Sequence, residues 1–184
     1  MILLRHGQSE FNQHFAATRR DPGITDPRLT ELGHSQAADA ARLLAEQPVV
    51  RIITSPYTRA LQTAKPLALA LRVPVTVNPI VRERYAFACD IGTPRSELER
   101  AWPEHDFSML DEMWWPTMEE PAEAVQARAA LFWAELEALP DRSGTVVVTH
   151  WGFILSLTGQ SVMNGDWLRC GLGMPPPAQV VWGT

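Results

Sequence analysis

The chain has 184 residues, of which 46% are hydrophobic and 20% charged, and it carries a net charge of −5 at neutral pH. It is long enough to bury a sizeable core in one domain, and its acidic balance argues against a general nucleic-acid binder, which shows a basic excess or stripe. Its longest apolar runs, such as the one around Val146, are too short to span a bilayer.

The first element expected is a short buried strand, Ile2 to Leu4, which delivers Arg5 and His6 to its C-terminal end. Two adjacent basic side chains at the end of an apolar run call for an anionic partner, because an unpaired charge is costly to bury. Residues 13–28 are polar, contain Asp21-Pro22-Gly23 and Asp26-Pro27, and read as loop. Thr30 caps a helix expected from Glu31 to Glu46, which Pro48 stops. A second strand is expected from Val49 to Thr54. Ser55-Pro56 then opens a helix running to about Arg72, kinked at Pro66. Val75 to Val77 read as a third strand.

Between Arg82 and Met118 the pattern is broken, acidic and aromatic, and reads as a loop-rich excursion with short helical pieces. The cluster Asp111-Glu112-Met113-Trp114-Trp115 within it reads as a substrate lid, a packed loop or a partner surface. Val125, Ala129, Phe132, Leu136 and Leu139 then make the apolar stripe of a further helix. TVVVTH, residues 145–150, is the continuous apolar run of a buried parallel strand. His150-Trp151-Gly152 starts another helix, and Gln179 to Trp182 read as an edge strand. Pro175-Pro176-Pro177 read as a stiffened segment.

Strands alternating with helices imply an α/β fold, a three-layer α/β/α sandwich around a mostly parallel sheet, with residues 1–184 as a single domain. Ligands in such folds bind beyond the carboxyl ends of the strands. Three separated segments deliver basic side chains to that edge: Arg5-His6, Arg59 and His150. Cys89 and Cys170 lack disulfide-framework or metal-finger spacing and read as reduced thiols. No charged and apolar leader precedes the first strand, so a cytoplasmic protein is expected. Only four residues precede Arg5, which leaves room for a natural start further upstream.

The joint pattern carries more than any single residue. Arg5-His6-Gly7-Gln8-Ser9-Glu10-Phe11-Asn12 resembles the RHGxSxxN signature of the histidine phosphatase superfamily, also called the phosphoglycerate mutase-like family. Leu29-Thr30-Glu31-Leu32-Gly33-His34-Ser35-Gln36-Ala37 is similar to its LTxxGxxQA segment. Ser55-Pro56-Tyr57-Thr58-Arg59-Ala60-Leu61-Gln62-Thr63-Ala64 is similar to its SPxxRAxQTA segment. Arg82-Glu83 resembles the site of its proton donor, and Val148-Thr149-His150-Trp151-Gly152 its second catalytic histidine. The matches follow the family's order and span most of the chain.

The resemblance implies a phosphomonoesterase that needs no metal or other cofactor and acts on a small phosphorylated substrate. His6 is then the nucleophile that forms a phosphohistidine, and Glu83 the acid and later the base. Arg5, Arg59, His150 and Asn12 bind the phosphoryl oxygens, a task that guanidinium forks perform bidentately. Two departures from the family pattern stand out. Trp151 follows the second histidine where many members carry a small residue, and is expected to narrow the pocket or point into the core. The segment ERYAFACDIGTP lacks the continuation common in the mutases, which makes Asp90 and Glu97 rival acids. Glu104, Asp106, Asp111 and Glu112 repel a polyanionic intermediate if they face the pocket. The alternatives to a phosphatase are a phosphoglycerate mutase and a catalytically silent phospholigand-binding protein on the same fold. No membrane or nucleic-acid partner is expected, and the sequence is silent on oligomeric state.

Overall fold

Alternation along the first strand assigns the layers. In β1 (Ile2–Arg5), Ile2 and Leu4 are buried on one face of the sheet and Leu3 on the other. The computed structural model describes residues 1–171 and 176–182. Its remaining elements, in chain order, are α1 (Glu10–Thr18), α2 (Glu31–Leu44), β2 (Arg51–Thr54), α3 (Thr58–Leu71), β3 (Val75–Val77), α4 (Arg95–Ala101), α5 (Ala122–Glu137), β4 (Thr145–Thr149), α6 (Trp151–Thr158) and β5 (Trp167–Arg169).

The five strands lie in the order β3-β2-β4-β1-β5, parallel except for β5, which runs antiparallel to β1. Helices α2 and α3 pack Ala40, Ala41, Leu44, Ala60, Ala64 and Leu67 against one face. On the other face, α5 and α6 pack Ala129, Phe132, Leu136, Phe153, Ile154 and Leu157. Each large apolar side chain buried in these layers stabilises by roughly 1.5–3 kcal/mol. The mixed α/β sandwich expected from the alternation of elements is the one observed.

This strand order also positions the site. The chain runs outward from β1 to β2 and β3 through helices on one face. It then returns to insert β4 between β2 and β1, with helices on the other face. The carboxyl ends of β1 and β4 are therefore neighbours, with Arg5 paired to Thr149. That is the switch point at which open α/β sheets bind ligands.

Three local expectations need correction. Residues 10–18 form a helix, although the stretch from residue 13 reads as loop. Ser9 and Asn12 make a reciprocal capping box, and the only buried side chain on α1 is Phe11, so no apolar periodicity betrays it. The helix opening at Ser55-Pro56 starts later, at Thr58, whose N–H is capped over a long sequence distance by Asp26 Oδ1 at 2.9 Å. Gln179 to Trp182 form no strand. The edge strand is Trp167–Arg169, brought back against β1 by a turn at Gly165, where φ is +78°. Pro66 lies inside α3 without ending it. Of the proline run, Pro175 lies outside the described residues.

Within the excursion, Phe107, Leu110 and Trp114 pack with Tyr57 and Leu61 in a third apolar cluster. Trp114 sits edge-on to Tyr57 at 4.7 Å and donates its indole N–H to the carbonyl of Thr93. Trp114 is therefore part of a packed loop, while Asp111, Glu112 and Met113 beside it are exposed.

Candidate active site

His6 follows β1 and is held there by its backbone. Its N–H donates to the carbonyl of Thr149 at 3.0 Å, and its own carbonyl accepts from Gly165 N–H at 3.2 Å. The next residues are held just as closely: Gly7 N–H donates to Thr63 Oγ1 and Gln8 N–H to Gln36 Oε1. Gly7 and Gly33 allow this loop to touch α2. A Cβ at Gly7 would lie 2.3 Å from the Gly33 carbonyl oxygen, and one at Gly33 would lie 2.1 Å from that of Gln8. Thr30, the N-cap of α2, receives the Gly33 N–H and donates to Gln8 Oε1. The polar residues of the second and third sequence segments thus build the cradle of the His6 loop.

The imidazole of His6 is buried, with Nδ1 2.7 Å from the carbonyl oxygen of Gly7. A carbonyl only accepts, so Nδ1 carries the proton and Nε2 presents a lone pair. Burial, then the charges of Arg59 and Arg5, hold the ring well below the ordinary imidazole pKa, so it is neutral. The ring of His150 lies 5.0 Å away, centroid to centroid, as the β1–β4 pairing requires. His150 is fully buried and edge-on to Tyr57. Burial, Arg59 and His6 keep it neutral as well. Neither of its ring nitrogens has a hydrogen-bond partner among the described residues.

Arg59, in the first turn of α3, is buried across the face of Tyr57 at 4.2 Å. It donates to the carbonyl of Cys89 at 2.7 Å and to Asp90 Oδ1 at 3.2 Å. Arg5 donates to the carbonyl of Val162, while its Nε has no partner among the described residues. The side-chain oxygen of Asn12 accepts from Ser9 N–H, Ser9 Oγ and Asn164 Nδ2, at 2.9–3.1 Å. With that oxygen committed, the amide nitrogen is the end of Asn12 open to an anion.

The three candidate acids separate clearly. Glu83 Oε1 accepts N–H groups from Arg84 at 2.8 Å and Gly152 at 2.9 Å; Oε2 shares the Gly152 N–H at 3.1 Å. Gly152 is in the first turn of α6, immediately after His150, so Glu83 is tied to the same strand end as the histidine. A Cβ at Gly152 would come within 2.5 Å of Glu83 Oε1, so only glycine admits the carboxyl there. Desolvation, then the charge of Asp90, push the Glu83 pKa up; the two N–H donors oppose this without reversing it. Asp90 is occupied otherwise: it pairs with Arg59 and accepts the N–H groups of Ala86 and Phe87. Glu97 is exposed on α4. The structure brings Glu83 to the site, uses Asp90 to hold Arg59, and leaves Glu97 outside.

Trp151 is half-buried and does not enter the core. Its indole N–H donates to Ser161 Oγ, and its ring packs 6.0 Å from Trp182. Glu104, Asp106, Asp111 and Glu112 are all exposed, and Glu112 turns to Ser96 and Arg95. Both cysteines are free thiols, and burial pushes the Cys89 pKa up, away from the reactive range. Residues missed from sequence are Thr63, Asn164 and Gln36, which fix the loop rather than face a ligand. Thr63 and Gln36 lay inside the quoted segments, whereas nothing around Asn164 marks it. Among the described residues no helix is long and apolar enough to cross a membrane.

This constellation agrees with what the chain is similar to. The family model described as histidine phosphatase superfamily (branch 1) matches residues 1–169. Glucosyl-3-phosphoglycerate phosphatase of Mycobacterium tuberculosis (strain H37Rv) is 31% identical over 175 residues, covering 86% of this chain and 73% of that protein. A protein named probable phosphoglycerate mutase GpmB from Proteus mirabilis is 30% identical over 153 residues, covering 82% of this chain and 68% of that one. The solved structure of the mycobacterial glucosyl-3-phosphoglycerate phosphatase in complex with VO3 superposes with a TM-score of 0.61. It is 26% identical, covering 91% of this chain and 88% of that one. The chain therefore belongs to the histidine phosphatase superfamily, branch 1.

Proposed function

We propose that the protein is a metal-independent phosphomonoesterase working through a phosphohistidine on His6. One observation carries the reading: the 2.7 Å contact from Nδ1 to the Gly7 carbonyl presets a neutral imidazole with its Nε2 lone pair free, beside two arginines and a second neutral histidine. Arg5, Arg59, His150 and the amide nitrogen of Asn12 take the non-bridging oxygens of the phosphoryl group. Nε2 attacks phosphorus in line, and the bond to the ester oxygen breaks as the N–P bond forms. Glu83, its pKa raised, gives its proton to the departing alkoxide. Oε2 carries that proton, since Oε1 already accepts two N–H groups. Water then attacks phosphorus and passes a proton back to Glu83, the N–P bond breaks, and inorganic phosphate leaves.

The substrate in this reading is a small phosphorylated metabolite in the cytoplasm. Glucosyl-3-phosphoglycerate, which the mycobacterial relatives' name gives as their substrate, and 3-phosphoglycerate head the list to be assayed. The test is a rapid acid-free quench of turnover. An acid-labile, base-stable phosphate should be trapped on His6, and a folded His6→Ala variant should lose turnover altogether. Near-wild-type turnover in that variant overturns the mechanism. Silence of the wild type across aryl and metabolite phosphates would instead favour the phospholigand-binding alternative. Mutase turnover above phosphate release, with 3-phosphoglycerate and bisphosphate primer, would favour the mutase.

A further inference from the structure

A third arginine lies close behind the site and is not part of its anion cradle. Arg128 on α5 is buried and forms a fork-to-fork pair with buried Glu120: Nε donates to Oε1 at 3.0 Å and Nη2 to Oε2 at 2.7 Å. Its Nη1 donates to the carbonyls of Ile80 at 2.7 Å and Arg82 at 2.9 Å, and Nη2 reaches the carbonyl of Glu83 at 3.4 Å. A guanidinium has five N–H donors, and all five are spoken for. Arg128 therefore has nothing left to offer a phosphoryl oxygen, although its charge adds to the field that keeps His150 neutral.

What Arg128 does hold is the chain segment that carries Glu83. After the 3₁₀ turn Pro79–Val81, Arg82 is extended and residues 82–84 belong to no strand or helix, so no ladder satisfies the carbonyls there. Arg128 supplies those donors from one rigid helix. Glu120 grips the same segment from its other side, receiving Arg82 Nη2 at 3.0 Å on its carboxylate and Arg84 Nε at 2.8 Å on its carbonyl. Its N–H donates to the carbonyl of Tyr85. Residues 80–85 are thus held on both sides of Glu83, by Arg128 of α5 up to Glu83 and by Glu120, just before that helix, beyond it, while the carboxyl of Glu83 is tied to Gly152 of α6. Arg128 also spans the two helices, with its guanidinium 5.3 Å from the ring of Phe153 on α6.

We infer that Arg128, with Glu120, is a positioning residue for proton donation: it sets where the Glu83 carboxyl stands relative to the ester oxygen. The inference rests on the reading of Glu83 as the proton donor. Its signature is selective, because a misplaced acid harms esters whose leaving group needs a proton and spares those whose leaving group does not.

The test compares phenyl phosphate, a poor leaving group, with 4-nitrophenyl phosphate, a good one. Arg128→Lys keeps the charge but cannot supply five donors. It should lower kcat for phenyl phosphate by roughly tenfold to a hundredfold, as a displacement of about 1 Å would. KM should change little, and kcat for 4-nitrophenyl phosphate should fall by about threefold or less. Glu120→Gln should give the same pattern more weakly. In Glu83→Gln the selectivity should be larger, and adding Arg128→Lys to it should cost phenyl phosphate nothing further. Selectivity in Glu83→Gln but equal losses for both esters in Arg128→Lys would overturn this inference alone, as would additive losses in the double variant. Failure of both Arg128→Lys and Glu120→Gln to fold would reduce the pair to a structural ion pair and overturn it too. Absence of selectivity in Glu83→Gln itself would remove the proton donor, and with it this role for Arg128.

Discussion

Gly33→Ala sets two physical effects against each other, and the structure says which wins. Gly33 stands in the first turn of α2, where helix propensity alone favours alanine by up to about 1 kcal/mol. The added Cβ, however, would lie 2.1 Å from the carbonyl oxygen of Gln8 and 3.0 Å from its C and N. The loop and the helix would have to part by about 1 Å to reach ordinary contact. Backbone cannot yield as a flexible side chain can. Overpacking of this kind costs on the order of 1–3 kcal/mol, which exceeds the propensity gain. The separation also moves His6, two residues before Gln8, and a misplacement of about 1 Å costs around a hundredfold in rate. Gly33→Ala should therefore lower Tm by several degrees and cut kcat by about a hundredfold, although Gly33 makes no contact with substrate in this mechanism. Because the nucleophile is what moves, phenyl and 4-nitrophenyl phosphate should lose about equally. Urea or thermal unfolding together with steady-state kinetics measures both effects. A variant at least as stable as wild type with unchanged kcat would refute the close-approach reasoning.

Further outcomes follow from the charges. The Glu83 pKa is raised in the fold, so ionising it costs more there than in the unfolded chain. Glu83→Gln should match wild-type stability in acid and exceed it increasingly as pH rises above the ordinary glutamate value, levelling off beyond the folded pKa; unfolding midpoints against pH read this out, and a gain confined to acid pH would contradict it. His6 and His150 are lowered, so the unfolded chain binds the extra protons and stability should fall as pH drops below the ordinary histidine value. His6→Gln should reduce that acid loss, and an identical profile would show that His6 does not contribute. With charge stabilisation supplied by Arg5, Arg59 and His150, turnover should survive exhaustive chelation and be inhibited by vanadate or tungstate. Loss on chelation with recovery on adding one particular divalent ion would refute the metal-independent mechanism.

Much of the site can be read from the residue order because the chemistry demands particular side chains at strand ends. An apolar run ending in Arg5-His6 and another ending in His150 specify both strand and function, since parallel strands deliver their last residues to one edge. The layered fold follows from apolar patterns local to each element. Other features depend on contacts between segments distant in sequence, where no local pattern records them. Helix α1 exists through its capping box rather than an apolar stripe, and the start of α3 is set by Asp26, far from it in the chain. Sequence left three acids in competition, and only packing resolves their places. Glu83 is admitted because Gly152 has no side chain, Asp90 is consumed by Arg59, and Glu97 is turned to solvent. The two motif glycines, Gly7 and Gly33, have a mutual role: each leaves out the Cβ that would collide with the other's loop or helix. Periodicity and residue type thus determined the strands β1 to β4 and the apolar helices that cover them, but not α1 or the edge strand β5. Which side chains meet, and which proton sits on which nitrogen, was decided by the strand order that places β4 beside β1 and by the carbonyl that faces Nδ1 of His6.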